Sequence, residues 1–234
     1  MTIDQSQPLE DYYLLQRGLG PSHYPKATIE GLDISDAQFP SPSFLPENVS
    51  FGVLDLLADQ IPEKYVGRYD VVHIRYIIGG FSDTKNKEEK KRNAINNLKA
   101  MLKPGGFIQW QELVESYFEM LDRNLNQTYV ATIDPKIREF WAAASWLKDL
   151  PEILKDYGFV EIEGITPAVN RRMASYEGET FLLGYIEIYD VLDQKLGKES
   201  AQPFAGVIKV ISDGVKSGEI CNCSILITIA KKPF

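Results

Sequence analysis

An α/β fold built on a largely parallel sheet is predicted by three features of the sequence. Short β-type runs alternate with amphipathic helical stretches over most of the 234 residues. One run, residues 69–78 (YDVVHIRYII), is apolar almost throughout, as a strand covered on both faces must be. A helix signal ending near Leu102 is stopped by Lys103-Pro104-Gly105-Gly106, and the next strand signal begins at once.

In order along the chain, residues 8–17 (PLEDYYLLQR) read as a helix. Pro8 suits its first turn, Glu10 and Asp11 its positive end, and Gly18 or Gly20 its stop. Residues 27–34 (ATIEGLDI) and 49–54 form short strands, each with an acid at its end, Asp33 and Asp55, and a proline-rich loop lies between them. Residues 86–102 are charged and then amphipathic, with Ile95, Leu98 and Leu102 at helical spacing. Residues 107–113 are a strand, 150–157 a helix closed by Gly158, and 159–165 the next strand. Two helices, 180–196 and 202–216, precede a buried final strand at 220–230. No internal repeat or low-complexity tract interrupts the pattern.

Composition narrows the function classes. Hydrophobic residues make up 44% and charged residues 25%, ordinary globular usage. The length buries a core without disulfide or metal staples, so a single domain over 1–234 is expected. Thirty-three acids against 25 bases give a charge of −8, and with no dense basic stripe the chain is not built to grip nucleic acid. Cys221 and Cys223 stand too close on one strand for an unstrained bridge, and His23 and His73 lack neighbouring ligands, so no metal is expected. No apolar run approaches the roughly 20 residues of a membrane span, and the first residues are not a signal peptide. The expectation is a soluble, cytoplasmic protein.

Four segments, GLD, LDLLAD, YDVVHIRYI and LKPGGF, stand in the order and spacing of the second to fifth strands of a known family. With the final helix and strand ending AKKPF, the chain over roughly 25–115 and 149–234 resembles class I S-adenosylmethionine-dependent methyltransferases, closest to the methyltransferase-like proteins of fungal secondary metabolism. The resemblance implies a Rossmann-like sheet with helices on both faces. Residues 1–24 become an N-terminal helical arm, and 116–148 and 174–218 become lid helices. It also implies that Asp33 would hold a cofactor ribose and Asp55 would meet the adenine.

The departure from the family is its first βα unit, whose glycine-rich turn lets the backbone approach the cofactor. Only 26 residues precede the second strand, and most are the N-terminal helix. The six residues after Gly18-Leu19-Gly20 reach about 20 Å, whereas a parallel crossover takes a dozen or more residues. Gly18-Leu19-Gly20 is thus a helix cap, and the first unit is expected to be missing. Either the second and fourth strands then pair directly, or another segment or a second copy of the chain fills the slot, giving a strand- or domain-exchanged homo-oligomer.

The candidate catalytic residues are His73, Arg75, Tyr76 and Glu112. His73 is a proton shuttle or a satisfied core histidine. Arg75 would hold an acidic oxygen or polarise a carbonyl. Glu112 would move protons if burial near Trp110 raises its pKa, and an Arg75–Glu112 ion pair would account for both without chemistry. Trp110, Tyr117, Phe118, Phe140, Trp141, Trp146 and Tyr185 either pack a core or roof a pocket for a hydrophobic small molecule. The basic residues at 85–92 are a solvated helix face. No cofactor is expected to be held in the ordinary way, S-adenosylmethionine being the candidate if one binds. The reading that follows is a non-methylating enzyme that cyclises, isomerises or dehydrates a polyketide-like substrate. The alternatives are an O-methyltransferase with a rebuilt cofactor site and an inactive scaffold or regulatory subunit.

Overall fold

The computed structural model describes residues 26–37, 39–81, 86–114, 134–167, 174–217 and 224–234. Strands β1 (Ile29–Asp33) and β2 (Val49–Val53) form a two-stranded parallel sheet. Strands β3 (Tyr69–Arg75), β4 (Leu102–Leu113), β5 (Val160–Ile165) and β6 (Ile225–Lys231) form a second sheet in the order β3-β4-β6-β5. The helices are α1 (Lys87–Met101), α2 (Pro135–Ala143), α3 (Leu150–Asp156), α4 (Ala174–Leu196) and α5 (Lys198–Ser217). The predicted N-terminal helix, Gly18-Leu19-Gly20, His23, Cys221 and Cys223 lie outside the described residues.

The expectation of a largely parallel sheet holds for β1–β2 and β3–β4, but β6 runs antiparallel to both β4 and β5. A strand buried on both faces has the same apolar run in either direction, so the sequence carries no signal for this. Direct pairing of the second and fourth strands of the resemblance is not what forms: β1 and β3 belong to separate sheets.

Side chains join the two sheets instead. Tyr69 Oη donates to Glu30 Oε2 at 2.7 Å, and Arg68 approaches the same oxygen at 3.2 Å. Asn97 Nδ2 donates to the carbonyls of Leu56 (2.8 Å) and Ala58 (2.7 Å). One helical turn earlier, Asn93 Nδ2 donates to the Leu57 carbonyl (3.1 Å) and to Asp59 Oδ1 (3.2 Å). Buried carbonyls need such partners, so these two asparagines of α1 fix the segment after β2.

The main core lies on one face of the four-stranded sheet. Ala94, Ile95, Leu98 and Met101 of α1 join Val72, Ile74, Ile108 and Trp110, with Trp146, Leu150 and Leu154 closing the far side. A smaller cluster, Ile137, Tyr185, Val207 and Ile211, holds α2, α4 and α5 together. Helices α4 and α5 turn back on each other at Gly197, whose φ of +83° suits glycine. The Gly105-Gly106 pair is more than a helix stop. A Cβ on Gly106 would lie 3.0 Å from the Asp70 carbonyl oxygen, so glycine lets β4 press against the start of β3. No described helix is long and apolar enough to cross a membrane.

Candidate functional site

A cleft of about 440 Å³ opens between β1 and β3, where the two sheets face each other without pairing. Its walls include Leu32, Asp33, Asp55, His73, Arg75 and Tyr76. These come from the carboxyl halves of β1 and β3, the loops beyond them and the loop after β2, where open α/β sheets place their ligands. Two predicted cofactor residues and three predicted catalytic ones therefore meet in one place.

Each acid is held by its own turn. Asp33 Oδ1 accepts the Ser35 N–H at 3.0 Å, and Asp55 Oδ1 accepts the Leu57 N–H at 2.9 Å. Asn93 and Asn97 support the loop carrying Asp55, and sequence reasoning missed them. The available signal was two asparagines four apart on an otherwise apolar helix face, beside Ala94, Ile95, Leu98 and Met101.

His73 opens toward the cleft, while its neighbours Val72 and Ile74 are buried on the core side. Desolvation by the cleft walls, and then the Arg75 guanidinium, hold its pKa below the usual imidazole value. Arg75 stacks its guanidinium 4.6 Å over the Tyr76 ring. Tyr76 has φ of +53°, a left-handed conformation that costs a bulky residue energy. Two contacts to β4 hold it there: Tyr76 N–H donates to the Gln111 carbonyl (3.1 Å), and Gln111 Nε2 donates to Tyr76 Oη (3.0 Å). The next residue, Ile77, donates its N–H to Glu112 Oε2 at 3.0 Å.

Glu112 is fully buried and does not line the cleft. The strand register places His73, Arg75, Gln109 and Gln111 on one face and Ile74, Trp110 and Glu112 on the other. The expected Arg75–Glu112 alternative does not form: the carboxylate takes the N–H groups of Ile77 and Leu113 and, at 3.5 Å, Trp110 Nε1. Burial pushes its pKa up to about 7, against the lowering effect of those donors. Because the native pKa lies above the ordinary 4.5, the native state holds this proton more tightly than the unfolded chain. The stabilisation is complete below about pH 4.5 and is lost as pH rises through about 7, a change of about 3 kcal/mol. Urea melts at about pH 5 and about pH 8 should show that loss in the native chain and a much flatter response in Glu112→Gln.

The described aromatic residues, expected either to pack a core or to roof a pocket, divide between two cores. Trp110 and Trp146 are buried in the main core, edge to face with centroids 6.0 Å apart. Trp141 Nε1 donates to Tyr185 Oη at 3.1 Å within the smaller helical cluster. None of these four lines the cleft between β1 and β3. Tyr117, Phe118 and the Phe140 side chain lie outside the described residues.

Two of the residues that the resemblance assigns to S-adenosylmethionine line the cleft. Asp33 and Asp55 stand at the cleft where the resemblance puts ribose and adenine. Among the described residues, however, no glycine-rich strand-to-helix turn flanks the cleft to supply backbone N–H groups to the amino-acid end.

No family model matches the chain. In sequence it is similar to the methyltransferase grgD of a Penicillium species, 40% identical over 84 residues, which is 36% of this chain and 27% of that protein. It is also similar to the N-methyltransferase verN of Clonostachys rogersoniana, 33% identical over 88 residues, 38% of this chain and 29% of that one. The matches therefore span less than a third of these relatives' length. Among solved structures it is similar to a Haemonchus contortus phosphoethanolamine N-methyltransferase in complex with S-adenosylhomocysteine. That likeness has 18% identity and a TM-score of 0.50, covering 92% of this chain and 46% of that one. A loganic acid methyltransferase with the same ligand has 10% identity and a TM-score of 0.50, covering 82% and 70%. Together with the strand order, these likenesses show that the chain has the α/β fold of these methyltransferases, and that over about a third of its length it is similar in sequence to fungal methyltransferases.

Proposed function

We propose that the chain is a methyltransferase-fold tailoring enzyme of small-molecule secondary metabolism whose chemistry is proton transfer rather than methyl transfer. The observation that carries this reading is His73, an imidazole open to the cleft and held toward its neutral form, with Arg75 two residues along the same strand. A neutral imidazole can take a proton from a carbon beside a substrate carbonyl. The electron pair then passes to the carbonyl oxygen, where the fixed Arg75 cation offsets the developing charge. Returning the proton to the far carbon of a conjugated double bond completes an isomerisation; giving it to a departing β-hydroxyl, which leaves as water, makes it a dehydration. Leu32 and Leu54 give the cleft the apolar wall a hydrophobic substrate needs.

A second reading, an S-adenosylmethionine-dependent methyltransferase, is favoured by Asp33, Asp55 and the printed names of the fungal relatives. Metabolites compared between cells carrying the gene and cells lacking it separate the two. A precursor that accumulates with the same mass as the lost product, or heavier by one water, supports proton-transfer chemistry. A product heavier than its precursor by one CH₂ overturns it. Calorimetric titration with S-adenosylmethionine is expected to show no binding tighter than about 1 mM, about −4 kcal/mol.

We further propose that the chain is a strand-exchanged homo-oligomer, in which an extended segment of a second copy pairs along the β1 or β3 edge and leaves the carboxyl ends of the strands, with His73 and Arg75, open to substrate. Support comes from the two strand edges that face each other unpaired among the described residues, since such edges invite pairing. Light scattering should show a species larger than the 26.5 kDa monomer, and a monodisperse monomer at high dilution overturns this.

A further inference from the structure

Gln109 lies in the middle of β4, is 2% exposed, and has no hydrogen-bond partner for either Oε1 or Nε2. A buried amide left unpaired at both atoms is costly, and native interiors seldom keep one without a use. The register names its neighbours. Across β3 its partner is His73, and across β6 it is Ile229; Phe107 and Gln111 flank it on the same face of β4. Ile229 and Phe107 have no polar side-chain atom, and Gln111 has its amide nitrogen on Tyr76 Oη. Parallel partners stand about 4.8 Å apart with side chains abreast, so among the described residues the His73 imidazole is the polar group level with the Gln109 amide across the ladder.

We propose that Gln109 is a positioning residue for His73. Rotation of its side chain lets Oε1 accept the N–H of one ring nitrogen, which fixes the tautomer and leaves the other nitrogen as the proton acceptor facing the cleft. Oε1 only accepts, so it selects a tautomer, and as a neutral acceptor it does so without placing a full negative charge beside the ring. Among the described residues, the charged groups that line the cleft with His73 are Arg75 on its own strand, Glu30 and Asp33 on β1 and Asp55 after β2; its register neighbours on β4 are the neutral Gln109 and Gln111. The proposal rests on the reading of His73 as the base.

The test is ¹⁵N imidazole spectroscopy on the full chain. There are only two histidines, so two sets of ring signals arise, with His23 as the internal control and His73→Asn giving the assignment. The native chain is expected to show one dominant neutral tautomer at His73, and Gln109→Leu the mixture of a free imidazole. Gln109→Glu is expected to raise the His73 pKa by about one unit or more, tenfold in proton affinity, through the adjacent carboxylate. A mixed tautomer in the native chain, or His73 signals and titration unchanged in Gln109→Leu, overturns the proposal. Gln109→Leu replaces an unpaired amide by an apolar group of similar size and is expected to fold, so the test stands even if Gln109→Glu does not fold. Turnover of the precursor that accumulates without the gene separates the two ideas. If His73→Asn abolishes turnover while the tautomer ignores Gln109, only this proposal falls. If the tautomer depends on Gln109 but His73→Asn turns over normally, the reading of His73 as base falls and the positioning contact stands.

Discussion

His73→Asn is expected to lower turnover of the accumulated precursor by about 10²–10⁴-fold, the usual cost of losing a general acid or base. Asparagine keeps hydrogen-bonding atoms at the cleft wall but does not exchange protons near neutral pH, so the loss should fall on kcat more than on KM. Because His73 lies open to the cleft while Val72 and Ile74 carry the packing, the urea midpoint should stay near the native value. The native pH–rate profile should show an ascending limb below the ordinary imidazole pKa, in the direction set by burial and Arg75, and the variant should lose that limb. A folded His73→Asn with native turnover would remove the imidazole from the mechanism. Arg75 and the shape of the cleft would then have to carry the chemistry.

Trp110→Ala should cost about 3–5 kcal/mol of stability, a large share of the 5–15 kcal/mol typical of a domain. The ring is fully buried between Ile74 and Thr228 in the strand register, and Trp146 meets it edge to face. Removing it leaves a cavity that two hydrogen-bonded strands cannot collapse to fill, and it also ends the aromatic contact. Near-ultraviolet circular dichroism and urea melts read both effects. A loss below about 1 kcal/mol would mean that this sheet face is not packed as described. The same substitution distinguishes the two uses considered for Trp110. A core role predicts this loss of stability, whereas a pocket-wall role predicts a raised KM in a protein of normal stability.

Much of the fold was legible because its signals are local. The apolar run of β3, the acids ending β1 and following β2, and the helix leading into Lys103-Pro104-Gly105-Gly106 each follow from short-range pattern, and all appear near the predicted places. Helix α1 starts and stops within a residue or so of its predicted range because its apolar stripe and its glycine stop agree. The site was only half legible. Asp33, Asp55, His73, Arg75 and Tyr76 were singled out one at a time, and the structure brings them to one cleft. Glu112 was grouped with them, yet alternation along β4 turns it to the opposite face, where it braces the Tyr76–Ile77 turn. For the aromatic residues the sequence leaves a core and a pocket roof open, and the four described ones pack in two separate cores.

By itself the sequence determined the element types, their order, the acids at the strand ends and the resemblance to a methyltransferase sheet. Each of these is written in residues a few positions apart, where periodicity, capping and turn chemistry act. Only the tertiary structure decided that β6 runs antiparallel, that β1 and β3 stand in separate sheets with a cleft between them, and that Asn93 and Asn97 hold the loop behind Asp55. It alone set Gln109 beside His73 and left its amide without a partner. Strand direction, facing and long-range pairing depend on contacts between residues dozens of positions apart. Those contacts are chosen by burial and backbone hydrogen bonding across the whole domain, and a buried apolar run looks the same whichever way it points.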